Sequence, residues 1–371
     1  MFRFPIKYCR LVCSATVLWS GVVPDVAGEA MADQPTPWRI TCELRAKSDV
    51  SVNPDRLFHS PAAVVAPNGD WLVCYQDSED HDGLDGVVSQ VRSSDQGQTW
   101  TSDGIVFDQR GQQRRCLGRN PAYAVTNGEV IVLDVQRWFP APQSEISSIH
   151  GSVYLISQDN GKTYEYRGLV DPGVPLRHLG TTSTILRGEN GLMMAGVSIS
   201  APPTGITLCT SSDPEKSWQF TGWIFRADQL PVKYFNYGLL ARRSDGALLA
   251  HCVFYSRNFQ CVSKDDGRTW SDPIELQDLR ILNNSDLDYA GNVLVAHGRG
   301  EADHCVVGWF SPDVGRSWGH RMVLDQHGFR GGGGYSASLR TRQGDLFIVF
   351  STDADPIRHR TVDNLISGAL C

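Results

Sequence analysis

The chain has 371 residues, 41% of them hydrophobic and 20% charged, which excludes a disordered, collagen-like or coiled-coil protein and leaves length for a large core. Its 34 Lys plus Arg stand against 41 Asp plus Glu, and the formal charge of −7 offers no electrostatic footprint for nucleic acid. With 36 Gly and short apolar runs broken by Gly, Asp, Asn and Ser, the composition is that of many strands and turns, and no long helix is expected.

The N-terminus reads as an export signal. Arg3, Lys7 and Arg10 precede an apolar stretch from Leu11 to Val23, and Ala30-Met31-Ala32 puts small residues where a signal peptidase reads them. Residues 1–32 are therefore expected to be a signal peptide, and 33–371 a secreted or periplasmic domain. Pro24, Asp25 and Glu29 interrupt the stretch before the roughly 20 apolar residues that a membrane span needs. Beyond the signal lie eight cysteines, an even number compatible with disulfides; most sit in apolar runs such as Trp71-Leu72-Val73-Cys74, where buried free thiols fit equally well. The mature chain has no Cys-x-x-Cys pair, and neither a metal nor a cofactor is expected.

Next comes Trp38-Arg39-Ile40-Thr41-Cys42, an alternating apolar segment standing before the first of six repeated units. Each unit contains a turn glycine followed by an apolar strand: Gly69-Asp70-Trp71-Leu72-Val73, then strands after Gly128, Gly191, Gly246, Gly291 and Gly344, with successive glycines 45 to 63 residues apart. A second repeat follows the first within a unit. Ser93-Ser94-Asp95-Gln96-Gly97-Gln98-Thr99-Trp100 recurs at Ser157–Tyr164, Ser263–Trp270 and Ser311–Trp318, with a degenerate copy at Ser211–Trp218 in which Glu215 replaces the glycine. Its chemistry is that of a hairpin turn: Asp bonds the local backbone, Gly supplies a positive φ, and the aromatic buries itself as the next strand begins. Each unit has room for four short strands, and radial repetition on a closed ring leaves only protected edges. The unit ending at Cys371 is too short for its own fourth strand, so the segment at Trp38–Cys42 is expected to close the ring. The fold class is thus an all-β, six-bladed β-propeller of four-stranded antiparallel blades, closed by an N-terminal strand.

The Ser-x-Asp-x-Gly-x-Thr-Trp octapeptides resemble the Asp-boxes (BNR repeats) of the sialidase, or neuraminidase, superfamily, and the resemblance covers residues 38 to 371. It implies a glycoside hydrolase acting on an acidic-sugar glycan, sialic acid or a related sugar. That sugar's anomeric carboxylate repels a carboxylate nucleophile, which is why such enzymes use Tyr. Tyr335, in Gly334-Tyr335-Ser336 at the opening of the last unit, stands where the family places that nucleophile. The proton donor corresponds to Asp82, within the acidic loop Asp77–Asp85, with Asp80 or Asp85 as alternatives.

The chain also departs from the family. The Tyr/Phe-Arg-Ile-Pro motif reads Phe58-His59-Ser60-Pro61, so His59 replaces the first carboxylate-binding Arg, and Tyr237 stands where the family has the Glu that activates its Tyr. An unassisted phenol, with a pKa near 10, is a poor nucleophile at neutral pH, so His59 or His178 is a candidate base. Arg137, Arg257 and Arg299 are candidate carboxylate binders, with Arg119 and His178 beside the same opening. Two alternatives stay open: a non-catalytic propeller that binds glycan or protein, and a polysaccharide lyase on the same fold.

Overall fold

The computed structural model describes residues 46–52, 56–79, 85–108, 117–126, 130–139, 148–169, 179–188, 191–198, 204–213, 218–231, 237–254, 257–277, 279–281, 285–300, 305–325, 334–352 and 365–370. The signal peptide and the segment Trp38–Cys42 lie outside them. Among these residues the structure is all-β apart from one short 3-10 turn at Ala227–Gln229.

The strands form six four-stranded antiparallel sheets. The first sheet holds β2 (Leu57–Val65), β3 (Trp71–Ser78), β4 (Val87–Ser93) and β5 (Thr101–Phe107). The second holds β6 (Leu117–Thr126), β7 (Val130–Phe139), β8 (Ser148–Ser157) and β9 (Glu165–Leu169). In the third are β10 (Leu179–Gly188), β11 (Gly191–Ser198), β12 (Gly205–Ser211) and β13 (Gln219–Arg226). The fourth comprises β14 (Tyr237–Arg242), β15 (Leu248–Phe254), β16 (Arg257–Ser263) and β17 (Ile274–Glu275). The fifth comprises β18 (Asp286–Ala290), β19 (Val293–Arg299), β20 (Val306–Ser311) and β21 (Gly319–Asp325). The sixth combines β22 (Ser336–Arg340), β23 (Leu346–Thr352) and β24 (Leu365–Leu370) with β1 (Ala46–Val52) from the other end of the chain.

The first strand of each sheet packs on the first strand of the next: β2 on β6, β6 on β10, β10 on β14, β14 on β18, β18 on β22, and β22 back on β2. Side chains between neighbouring sheets form six apolar seams, so the core is a ring of clusters rather than one mass. The ring closes through β1, paired antiparallel from Ala46↔Leu370 to Val52↔Leu365. The closing strand is therefore not the expected Trp38–Cys42 segment. An outermost strand buries little, as the exposed residues of β5 show, so apolar alternation is no guide to it. Disulfides are absent among the described residues: Cys74, Cys209, Cys252, Cys261 and Cys305 are buried thiols.

The octapeptides turn between the third and fourth strands. In the first, the Gly97 N–H donates to Ser93 Oγ (2.7 Å), Thr99 N–H to Asp95 Oδ1 (2.8 Å) and the Thr99 hydroxyl to Asp95 Oδ2 (2.6 Å). The same bonds recur around Asp159, Asp265 and Asp313. The residue before each glycine (Gln96, Asn160, Asp266, Val314) also has positive φ, which the sequence pattern does not announce. The degenerate copy's Glu215 lies outside the described residues. Each described box leans on the preceding sheet: a Cβ on Gly161 would meet Leu72 at 2.5 Å, one on Gly267 would meet Leu208 at 2.3 Å, and one on Gly315 would meet Leu249 at 2.9 Å.

Two predictions follow from these turns. Gly97 has φ +82° and an added Cβ would lie 2.8 Å from the Trp71 ring, so Gly97→Ala should destabilise the fold by about 1–3 kcal/mol, read as a lower urea midpoint. Hydrogen bonds from Thr99 and Thr269 bring Asp95 and Asp265 down to about 2; at Asp159 burial opposes the shift, yet Thr163 brings it to about 2 as well. Depressed carboxylates stabilise fully above their unfolded value near 4 and lose that contribution as pH falls toward 2, so the thermal midpoint should drop through that window. Asp95→Asn should flatten the drop.

Candidate functional site

Strand alternation puts the turn glycines and the octapeptides at one end of the ring. The starts of the first strands and the ends of the second strands lie at the other end, where the candidate residues gather. On β2, His59 stands opposite Gln76 and the ladder then slips between His59 and Ala62; on β6, Arg119 stands opposite Gln136 and the same slip falls between Arg119 and Ala122. His59-Ser60-Pro61-Ala62 and Arg119-Asn120-Pro121-Ala122 are thus equivalent positions in neighbouring sheets. Proline, which cannot donate to a ladder, explains the slip in both. This short repeat was a signal in the sequence that the glycine and octapeptide patterns overshadow.

Ser60 has φ +50°, unusual for a residue other than Gly, and is buried. Its hydroxyl lies 3.1 Å from His59 Nδ1. The His59 ring, also buried, packs against Tyr335 across the closing seam, with centroids 5.5 Å apart and planes at 42°. Tyr335 itself is half-buried. Its main chain is held by β23: the Ser351 N–H donates to the Tyr335 carbonyl (2.9 Å), and the Gly334 N–H to the Ser351 carbonyl (2.8 Å).

In the adjoining fifth sheet, Asp286 and His297 stand opposite one another. His297 Nδ1 lies 2.9 Å from Ser336 Oγ, while the Ser338 N–H and hydroxyl both donate to Asp286 Oδ2 at 2.8 Å. Burial pushes the His297 imidazole down to about 4, against the pull of Asp286, so it is neutral at physiological pH. His251, stacked on Trp318 and buried in the fourth sheet, is likewise pushed to about 4. Asp288, two residues beyond Asp286, is raised by burial to about 6.

Other expected residues are arranged differently. Arg257, at the start of β16, forks onto Glu275 of the outermost strand β17 (2.8 and 2.7 Å) and also donates to the Pro231 carbonyl (3.0 Å). All three of its nitrogens thus have partners, on the outermost strand and at Pro231. Asp85 bonds Arg56 and accepts the Glu79 N–H (3.0 Å), and Asp77 takes Arg56 Nε (2.6 Å) and the Ser89 hydroxyl (2.9 Å). Both carboxylates therefore anchor the loop, and Arg56 was missed because it lies just before the motif. Arg299 ends β19 two residues past His297, and Tyr237 begins β14 opposite Val253. Arg137 stands on β7 opposite Gly118. Asp80, Asp82 and His178 lie outside the described residues. No group of three or more His, Cys, Asp or Glu able to hold a metal occurs among the described residues, and no helix there is long and apolar enough to cross a membrane.

The two buried imidazoles make a pH prediction. Held near 4 in the fold and near 6.5 when unfolded, they stabilise fully above about pH 6.5 and lose that contribution toward pH 4. Asp288 acts the opposite way over an overlapping window, but one carboxyl does not offset two imidazoles. The urea midpoint should therefore fall from pH 7.5 to 5, and the His251 and His297 ring signals should show no protonation above about pH 5 by NMR.

The repeats and the geometry agree with what the chain resembles. The BNR repeat-like domain family matches residues 69–348. No curated protein matches the sequence. Among solved structures, a protein of unknown function from Dyadobacter fermentans superposes with a TM-score of 0.74 at 13% identity, covering 87% of this chain and 97% of that one. A Hadza microbial sialidase superposes at 0.67 with 15% identity, covering 90% and 70% of the two chains. The leech intramolecular trans-sialidase, complexed with 2,7-anhydro-Neu5Ac, gives 0.65 at 12% identity, covering 88% and 70%. The chain belongs to the BNR repeat-like domain family, and its β-propeller fold is similar to that of these sialidase structures.

Proposed function

We propose that the protein is an exported glycoside hydrolase that cleaves the bond to an acidic sugar, sialic acid or a relative, at the end of the ring where Tyr335 meets His59. The observation that carries this reading is the ring contact of 5.5 Å between the two side chains. Tyr237 stands in the sequence where the family that the chain resembles has its activating Glu, and the imidazole packed against Tyr335 supplies a base instead. The Tyr335 oxygen attacks the anomeric carbon and its proton passes to His59. The bond to the leaving oxygen breaks as that oxygen takes a proton from Asp82. Water then attacks the anomeric carbon and gives its one released proton to Asp82, while the glycosyl–tyrosine bond breaks and the Tyr335 oxygen takes back the proton held on His59. Arg119, Arg137 and Arg299 bind the substrate carboxylate.

A second reading is favoured by the same pair. A Tyr and a His in contact supply the acid and base that a lyase needs, removing the proton next to a uronate carboxyl and leaving an unsaturated product. In assays on sialosides and uronate glycans, the hydrolase reading expects a free sugar acid. Tyr335→Phe should abolish turnover and His59→Ala should reduce it about 10²–10⁴-fold. An unsaturated product transfers the assignment to the lyase. Glycan binding without turnover, unchanged by both substitutions, overturns both readings.

A further inference from the structure

We propose that His297 and Ser336 are positioning residues for Tyr335, acting across the seam between the fifth and sixth sheets; this rests on the reading that Tyr335 is the reacting group. That seam is apolar along most of its length, from Ala290 and Val293 to Phe350. At the end next to Tyr335 it changes character. The Ser336 hydroxyl donates to the His297 carbonyl (3.3 Å) and lies 2.9 Å from Nδ1 of the same residue, and Asp286 collects two bonds from Ser338.

A hydroxyl has one proton. With it directed at the carbonyl, the Ser336 oxygen accepts from His297, so the neutral imidazole carries its hydrogen on Nδ1. Nε2 is left as an acceptor with no hydrogen-bond partner among the described residues, on a side chain with 0% exposure. An arrangement that leaves one ring nitrogen unmatched to satisfy the other is costly for stability alone. The need it meets lies one residue away. Gly334, at φ +83°, and Tyr335 are tied through their main chains to Ser351 of β23, which fixes the backbone at this point. The direction in which the Tyr335 ring leaves the strand toward His59 depends in addition on the residue that follows it. Ser336, gripped by a fully buried histidine of the neighbouring sheet, fixes that direction.

The test uses the full-length mature protein without substrate, then with a 4-methylumbelliferyl sialoside. The readouts are the His59 ring-proton resonance, which the Tyr335 ring current displaces, and the split between kcat and KM. Ser336→Ala should move the His59 resonance toward its position in Tyr335→Leu, which has no ring current, and lower kcat about 10–100-fold with KM within about twofold. Ser336→Thr, which keeps the hydroxyl, should restore both, and His297→Ala should match Ser336→Ala. Ser263→Ala, at the opposite end of the ring, is the control: it should lower the thermal midpoint and leave the resonance in place. A His59 resonance unmoved by Ser336→Ala in folded protein overturns the proposal, whether or not the sialoside is cleaved. A resonance that moves while the parent protein cleaves no sialoside or uronate glycan upholds the positioning and overturns the hydrolase reading instead.

Discussion

Four of the six seams share one kind of contact: a polar turn from one sheet laid against the apolar flank of the sheet before it. Where the box glycine sits, no side chain fits. The glycine's own carbonyl then finds a partner on the preceding sheet, as in Gln90 Nε2 to the Gly161 carbonyl (2.8 Å) and Gln260 Nε2 to the Gly315 carbonyl (2.7 Å). The other end of each carboxamide accepts from the aromatic group that closes the box: the Tyr164 hydroxyl at 2.6 Å on Gln90 and the Trp318 indole at 3.1 Å on Gln260. A buried amide satisfied at both ends fixes the separation of two sheets, which apolar packing alone leaves free to slide. The first box has no such amide at its docking face and uses aromatic rings instead, with Trp71 and Trp100 against Phe347 at 5.0 and 5.9 Å.

The sequence made the ring legible because its repeats are turns, and turns have strict chemistry. Asp95, Gly97 and Thr99 have few substitutes for their roles. Outer strands have no such requirement: Ala46–Val52 carries Lys47, Ser48 and Asp49 and is strand because β24 offers it a ladder. The closing strand was therefore sought in the wrong, more apolar segment.

The site was legible position by position and not as a constellation. The meeting of His59 with Tyr335 depends on joining the two ends of the chain, which no local spacing encodes. Arg257 illustrates the reverse: its partner Glu275 is 18 residues away, beyond an octapeptide, and only the pairing of β16 with β17 brings them together. A guanidinium claimed by a carboxylate on the outer strand looks, in sequence, like one aimed at a ligand. Buried serines such as Ser60 and Ser336 gave no warning because their importance comes from what faces them.

The closure also governs when these two rings meet. The sixth sheet takes three strands from the last part of the chain and one from the first, and Tyr335 and His59 face each other beside that junction. A chain emerging from the ribosome can pair neighbouring strands one sheet at a time, yet its two ends must wait for residue 370 before they meet. The contact between Tyr335 and His59 thus depends on a closure that joins distant parts of the chain, and a polypeptide lacking β24 would have no ladder to hold β1 at that junction.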